Sequence, residues 1–213
     1  MKRSWLIFPL LMLGTTAVAA PAPGLYELTG EREMASAIEL MPDGRFRYYF
    51  TYGALDEQAE GRWTSEGDAV RLVTTPTPVP PTWDEGPKAR TDKAPLAIRV
   101  VGPTGEGIAL ADIRIDFDEG EPVIAHTQED GWAMDTAEKR EPRMVMLAFT
   151  MFGVVSQSFA IDAAKANDLT FTFTPNDLGR LDFTDIPVRT EADKLIVDRN
   201  GHELTYQAAK PAR

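Results

Sequence analysis

Apolar and polar side chains alternate with period two through most of this chain, a rhythm that argues for strands rather than helices. In Arg45–Tyr52 one face carries Phe46, Tyr48, Phe50 and Tyr52, and the other carries Arg45, Arg47, Tyr49 and Thr51. Glu57–Trp63 follows, with Ala59, Gly61 and Trp63 on one face. Taking Gly53–Asp56 as a four-residue loop sets Phe50 opposite Ala59, Tyr48 opposite Gly61 and Phe46 opposite Trp63. Bulky rings then meet small partners across the pair. A turn at Pro42-Asp43-Gly44 pairs Leu40 with Phe46 and Ile38 with Tyr48. A second turn at Ser65–Asp68 brings Val70 to Trp63 and Leu72 to Gly61. With Gly24–Leu28 in front, where Tyr26 and Leu28 point inward, five antiparallel strands share one apolar face.

The rhythm breaks at 76–95, a Pro-rich linker whose six prolines exclude a central strand. It returns near the C-terminus, where Asn200-Gly201 is a strong hairpin signal. Folding there pairs Val197 with Leu204 and Leu195 with Tyr206. A five-strand meander leaves two open edges, and this hairpin, with a strand from Phe183–Val188, would nearly close the sheet. The expected organisation is therefore a discontinuous β-meander or half-barrel domain, 20–75 plus 181–213, interrupted by a second domain at 96–180. A plain two-domain order, with the last hairpin packed elsewhere, is the alternative.

Gly24-x-Tyr26, Asp43-Gly44-Arg45-Phe46, Gly53, Gly61-x-Trp63 and a closing strand ending at Tyr206 resemble small exported lipocalin-like β-barrel domains. The chain lacks the N-terminal Gly-x-Trp of true lipocalins. Inside 96–176, short strands punctuated by turns every 8–12 residues or so argue for a β-sandwich. The run "IRVVGPTGEGIALADIRIDF" and the later "HTQEDGWAM" resemble the carboxypeptidase-regulatory-like, or transthyretin-like, sandwich. That resemblance implies an accessory module without catalytic residues. The fold class expected is all-β, with an inserted transthyretin-like or Ig-like sandwich.

Residues 1–19 have the layout of a secretory signal peptide. Lys2 and Arg3 precede an apolar run, Trp5–Leu13, and Ala17-Val18-Ala19 supplies a small-residue cleavage site. The expected location is the bacterial periplasm or the cell exterior, and a membrane-spanning chain is not expected. The sequence has no cysteine, so no disulfide supplements burial. Without Lys2 and Arg3, 20 basic residues face 33 acidic ones, a net charge of −13. Such a surface repels phosphate backbones and argues against nucleic acid as a partner.

Chemistry is sparse. His126 and His202 lie in different modules beside turns and read as exposed polar residues rather than zinc ligands. In "DFDEGE", Asp116, Asp118 and Glu121 are candidate Ca²⁺ ligands, although the spacing is not that of an EF-hand loop and a solvated acidic turn is the simpler reading. Met144, Met146 and Met151 read as core filler. No nucleophile elbow or carboxylate pair stands out, so neither enzymatic activity nor a cofactor is expected. The remaining candidate is the aromatic face: Tyr26, Phe46, Tyr48, Phe50, Tyr52 and Trp63. It is either a packed wall or the lining of a ligand site. The expected function is an exported, non-catalytic binding or interaction protein with an unknown protein partner; the alternative is a carrier of a small apolar ligand in the barrel.

Overall fold

A computed structural model of the chain describes residues 21–210 apart from Asp68 and Asn200. The signal peptide assigned to 1–19 lies outside the described residues, as do Asp68 and Asn200 of two expected turns. Five strands come first: β1 (Gly24–Leu28), β2 (Met34–Leu40), β3 (Arg45–Tyr52), β4 (Leu55–Glu66) and β5 (Ala69–Thr74). Then come β6 (Thr82–Ala89), β7 (Ala97–Val101), β8 (Asp112–Phe117), β9 (Val123–His126) and β10 (Trp132–Ala133). They are followed by β11 (Pro142–Phe149), β12 (Val154–Val155), β13 (Phe159–Ala160) and β14 (Asp168–Thr174). Last are β15 (Val188–Glu191), β16 (Lys194–Arg199) and β17 (His202–Ala208).

The fold is all-β. Its first five and last three strands form a closed antiparallel barrel in the order β1-β17-β16-β15-β5-β4-β3-β2. The sheet is thus closed rather than the expected half-barrel, because β17 pairs with β1 while β15 pairs with β5. Closure leaves no free edge along those seams.

Within the barrel, Leu40 faces Phe46, Ile38 faces Tyr48, Val197 faces Leu204 and Leu195 faces Tyr206, as the sequence pattern requires. The β3–β4 connection differs from expectation. Tyr52 pairs with Leu55 across a two-residue Gly53-Ala54 turn, with Gly53 at φ +60°. The register therefore moves by two: Tyr48 faces Ala59, Phe46 faces Gly61 and Phe50 faces Glu57. The β4–β5 pairing moves likewise, setting Trp63 against Leu72 and Gly61 against Thr74. A shift of two preserves the faces, so Phe46, Tyr48, Phe50, Val70 and Leu72 stay buried on the inward side. Gly61 is required here by close approach: a Cβ would lie 2.0 Å from the Val73 carbonyl oxygen.

The intervening strands form two further sheets, ordered β10-β7-β14-β6 and β12-β11-β8-β9, with β13 also pairing β11. Both contribute to one core, in which Ile98, Val100, Leu169 and Phe171 meet Ile113, Ile115, Val145 and Leu147. β7 and β14 run parallel. Part of the segment expected to be linker is strand: β6 is an edge of its sheet, with Gly86 and Pro87 in the register shift opposite Thr170. A bulged edge is where a strand tolerates proline, since no ladder N–H is needed there. The expected long run Arg143–Val155 is likewise divided, by a 3₁₀ turn at Thr150–Phe152. Met144 and Met146 alternate with buried Val145 and Leu147 and are only half-buried, so they face away from the core rather than filling it. Met151 is exposed.

Candidate functional site

The barrel has two ends. The β2–β3 and β4–β5 connections lie at one, and the β3–β4 turn, Arg199 at the end of β16 and the whole 75–187 excursion lie at the other. That second end forms the mouth. After β14, the return segment docks along the first half of β4: Gln58 N–H donates to the Gly179 carbonyl at 2.8 Å and Leu181 N–H to the Gln58 carbonyl at 2.9 Å. Two residues later Phe183 enters the barrel, fully buried, with its ring edge-on to Phe46 at 5.6 Å and to Tyr48 at 4.8 Å. Thr74 fixes this entry. Its hydroxyl donates to the Leu181 carbonyl at 3.0 Å and accepts from Phe183 N–H at 3.0 Å.

The six candidate aromatics therefore do not line one pocket. Phe46 and Tyr48 are 1% and 4% exposed and pack on Phe183. Tyr26 is also buried, its hydroxyl donating to the Ala22 carbonyl at 2.7 Å. Trp63, half-buried toward the end away from the mouth, donates its indole N–H to the Met41 carbonyl at 2.9 Å. Of the six, Phe50 and Tyr52 border the cleft at the mouth. With Met34, Leu55, Leu204 and the Thr150–Gly153 loop they enclose a cleft of about 330 Å³ at the mouth. Tyr52 is 44% exposed on its wall.

Two charged residues that the aromatic pattern did not single out also line this cleft. Arg199 and Glu57 have side chains only 18% and 13% exposed. Arg199 Nη2 donates to Glu57 Oε1 at 2.6 Å and lies 2.5 Å from Oε2, so both carboxylate oxygens face the guanidinium. Arg199 Nη1 donates to the Tyr48 hydroxyl at 3.3 Å, and the guanidinium sits 4.7 Å from the centroid of the Phe50 ring. Burial opposes the charge on Arg199, but the hydrogen bond to Glu57 and the neighbouring Tyr48, Glu57 and Tyr206 oxygens together outweigh it and raise the pKa. Ser36 Oγ donates to the Tyr49 carbonyl at 2.5 Å, which leaves the Tyr206 hydroxyl to donate to Ser36 at 3.0 Å. Burial pushes the Tyr48 and Tyr206 phenols above their ordinary value.

Both charges were legible by parity. Glu57 is in step with Ala59, Gly61 and Trp63, and Arg199 with Leu195 and Val197, so each stands on an inward-facing position of its strand. A charge in such a position needs a partner, and here the two supply one another.

The loop over the cleft is held from beneath. Asp112 Oδ2 accepts from Thr150 N–H at 3.1 Å and from its hydroxyl at 2.6 Å, and Asp112 Oδ1 lies 2.8 Å from His126 Nδ1. His126 thus contacts Asp112 through Nδ1, while His202 lines the cleft.

The candidate Ca²⁺ ligands meet arginines instead of one another. Asp116 accepts from Arg114 at 2.8 Å, and Asp118 lies 2.8 Å from Arg143 Nη2. The bond from Arg143 holds the Asp118 carboxyl below the usual carboxylate range. Glu121 contributes its backbone carbonyl to Arg140, at 2.8 Å. Among the described residues, no group of three or more His, Asp or Glu side chains is placed to hold a metal ion, and no helix is long and apolar enough to cross a membrane.

A larger hollow, about 520 Å³, lies beside Arg90, Lys139 and Asn167. Its buried polar group, Asn167, is already used: Nδ2 donates to the Thr91 and Ala94 carbonyls and Oδ1 accepts from Thr91 N–H. The mouth cleft is the better candidate, because its apolar walls meet the paired charges of Glu57 and Arg199.

Comparisons of the chain with protein-family models, with curated proteins and with solved structures found no match. The functional reading therefore rests on the geometry of the mouth.

Proposed function

We propose that this chain is an exported, non-catalytic binding protein that takes its partner at the mouth of the barrel. The observation that carries this reading is the 330 Å³ cleft, walled by Met34, Phe50, Leu55 and Leu204 and floored by the Glu57–Arg199 pair. A concave, mostly apolar surface with few convergent polar groups is the usual form of a binding site. The catalytic reading is disfavoured because Glu57 and Arg199 neutralise each other rather than standing free for proton transfer. Export to the periplasm or beyond rests on the signal-peptide layout of residues 1–19.

In this reading the 20–75 and 181–213 segments form a lipocalin-like barrel, and 96–180 forms a carboxypeptidase-regulatory-like sandwich that covers its mouth. The carrier alternative keeps one observation in its favour. The cleft reaches the lower size of small-molecule pockets, while Phe183 fills the space between the barrel walls. A small apolar ligand would therefore sit at the mouth rather than deep inside.

Native mass spectrometry of the protein secreted through a bacterial periplasm tests the proposal. The expected result is a non-covalent mass excess that disappears on denaturation and is lost in Met151→Trp, which narrows the cleft from an exposed loop position. A bare polypeptide mass, together with no gain on adding small amphiphiles, contradicts a small-molecule site and leaves a protein partner as the binding reading.

A further inference from the structure

We infer that the mouth cleft continues past Phe152 into a second apolar hollow, and that the two together take one long unbranched hydrocarbon chain; the inference rests on that cleft being the binding site. The second hollow, about 430 Å³, lies between the proline-rich segment 78–81 and the return segment 177–182. Phe152 and Glu57 line both hollows, so the two meet at the 3₁₀ turn that carries Phe152. Met34, Leu55 and Leu204 wall the near part of this trough, and Pro78, Val79 and Leu181 wall the far part.

The class of ligand follows from the polar groups of the lining, which are already engaged within the protein. Glu57 is paired with Arg199. The Thr150 hydroxyl donates to Asp112 at 2.6 Å, and Asp177 accepts from the Val79 N–H at 2.9 Å. Asp182 accepts from the Thr184 N–H at 2.9 Å and from its hydroxyl at 2.6 Å, and Arg180 lies 3.7 Å from Glu60. Tyr52 and His202 are exposed to water. An extended peptide laid along this path would bring an N–H and a C=O with nearly every residue, each in need of a partner. A hydrocarbon chain needs none, and it gains by leaving water. Its slender form suits two hollows joined at one ring, with any polar head left in solvent.

The test compares 1-octanol with 1-dodecanol on the mature protein, by equilibrium dialysis of the radiolabelled alcohols. 1-Dodecanol is expected to bind about two hundredfold more tightly, the scale of four further buried CH₂ groups at about fourfold each. Val79→Trp fills the second hollow from a position 55% exposed, where the core is spared. It is expected to remove most of the 1-dodecanol gain and to leave 1-octanol unchanged, whereas Met151→Trp is expected to weaken both. The ranking on the unaltered protein is read without either variant. A gain below about tenfold, or one that survives Val79→Trp, would overturn the second hollow while leaving the mouth cleft as the site. Tighter binding of the capped peptide Leu-Ala-Leu-Ala-Leu than of 1-dodecanol would overturn the hydrocarbon chain in favour of a protein partner. No binding of either alcohol, or binding that Met151→Trp does not weaken, would overturn the cleft itself and the inference with it.

Discussion

At the scale of single residues, the inward faces of the barrel tolerate polarity only in closed groups. Tyr206 is fully buried and hands its proton to Ser36, which in turn satisfies the Tyr49 carbonyl. Tyr48 takes one N–H from Arg199. Such groups resist ionisation, since a phenolate in this environment loses more hydration than its neighbours return. The folded-state pKa values of Tyr48 and Tyr206 lie above the ordinary 10.0. A raised pKa contributes stability that is fully present below the unfolded value and is lost as pH climbs toward the folded one. Urea midpoints are therefore expected to hold steady up to about pH 9 and to fall above about pH 10. Replacing both tyrosines by phenylalanine should flatten that alkaline decline; an unchanged slope would assign it to other groups.

At the scale of elements, the return segment 179–183 matters more than its lack of regular structure suggests. It completes the exposed flank of β4 through Gln58 and then delivers Phe183 between Phe46 and Tyr48. Phe183→Ala leaves a cavity in a closed barrel whose strands cannot collapse inward freely. A loss of about 3–5 kcal/mol in denaturant unfolding is expected; a loss below about 1 kcal/mol would mean that the ring is not part of the core. Strand existence and strand faces were legible in the alternation of residues 24–74 and 195–206, because parity depends only on local pattern. Register was not legible at the β3–β4 turn. Loops of two and four residues keep the same parity, and only packing chooses between them. Glu57 shows the consequence. The longer loop sets Phe50 against Ala59, whereas the actual turn sets it against Glu57 and brings a carboxylate to the mouth. Phe183 reads as the start of a strand and is instead a plug. Thr150–Phe152 reads as strand because its composition is apolar, but the carboxylate of Asp112, distant in sequence, holds Thr150 at its start.

At the scale of the whole molecule, a barrel assembled from both ends of the chain places everything between β5 and β15 at one mouth. The loops of the intervening sheets then become part of that mouth, and Thr150–Gly153 forms one wall of the cleft. The central claim is that ligand contact occurs at this mouth and not within the barrel. Backbone and side-chain NMR of the mature protein during titration with 1-octanol tests it most directly. The expected result is a set of shift changes confined to Phe50, Leu55, Met151, Arg199 and Leu204, with Phe46 and Phe183 undisturbed. Changes centred on Phe46 and Phe183 would contradict the claim and return the site to the interior of the barrel.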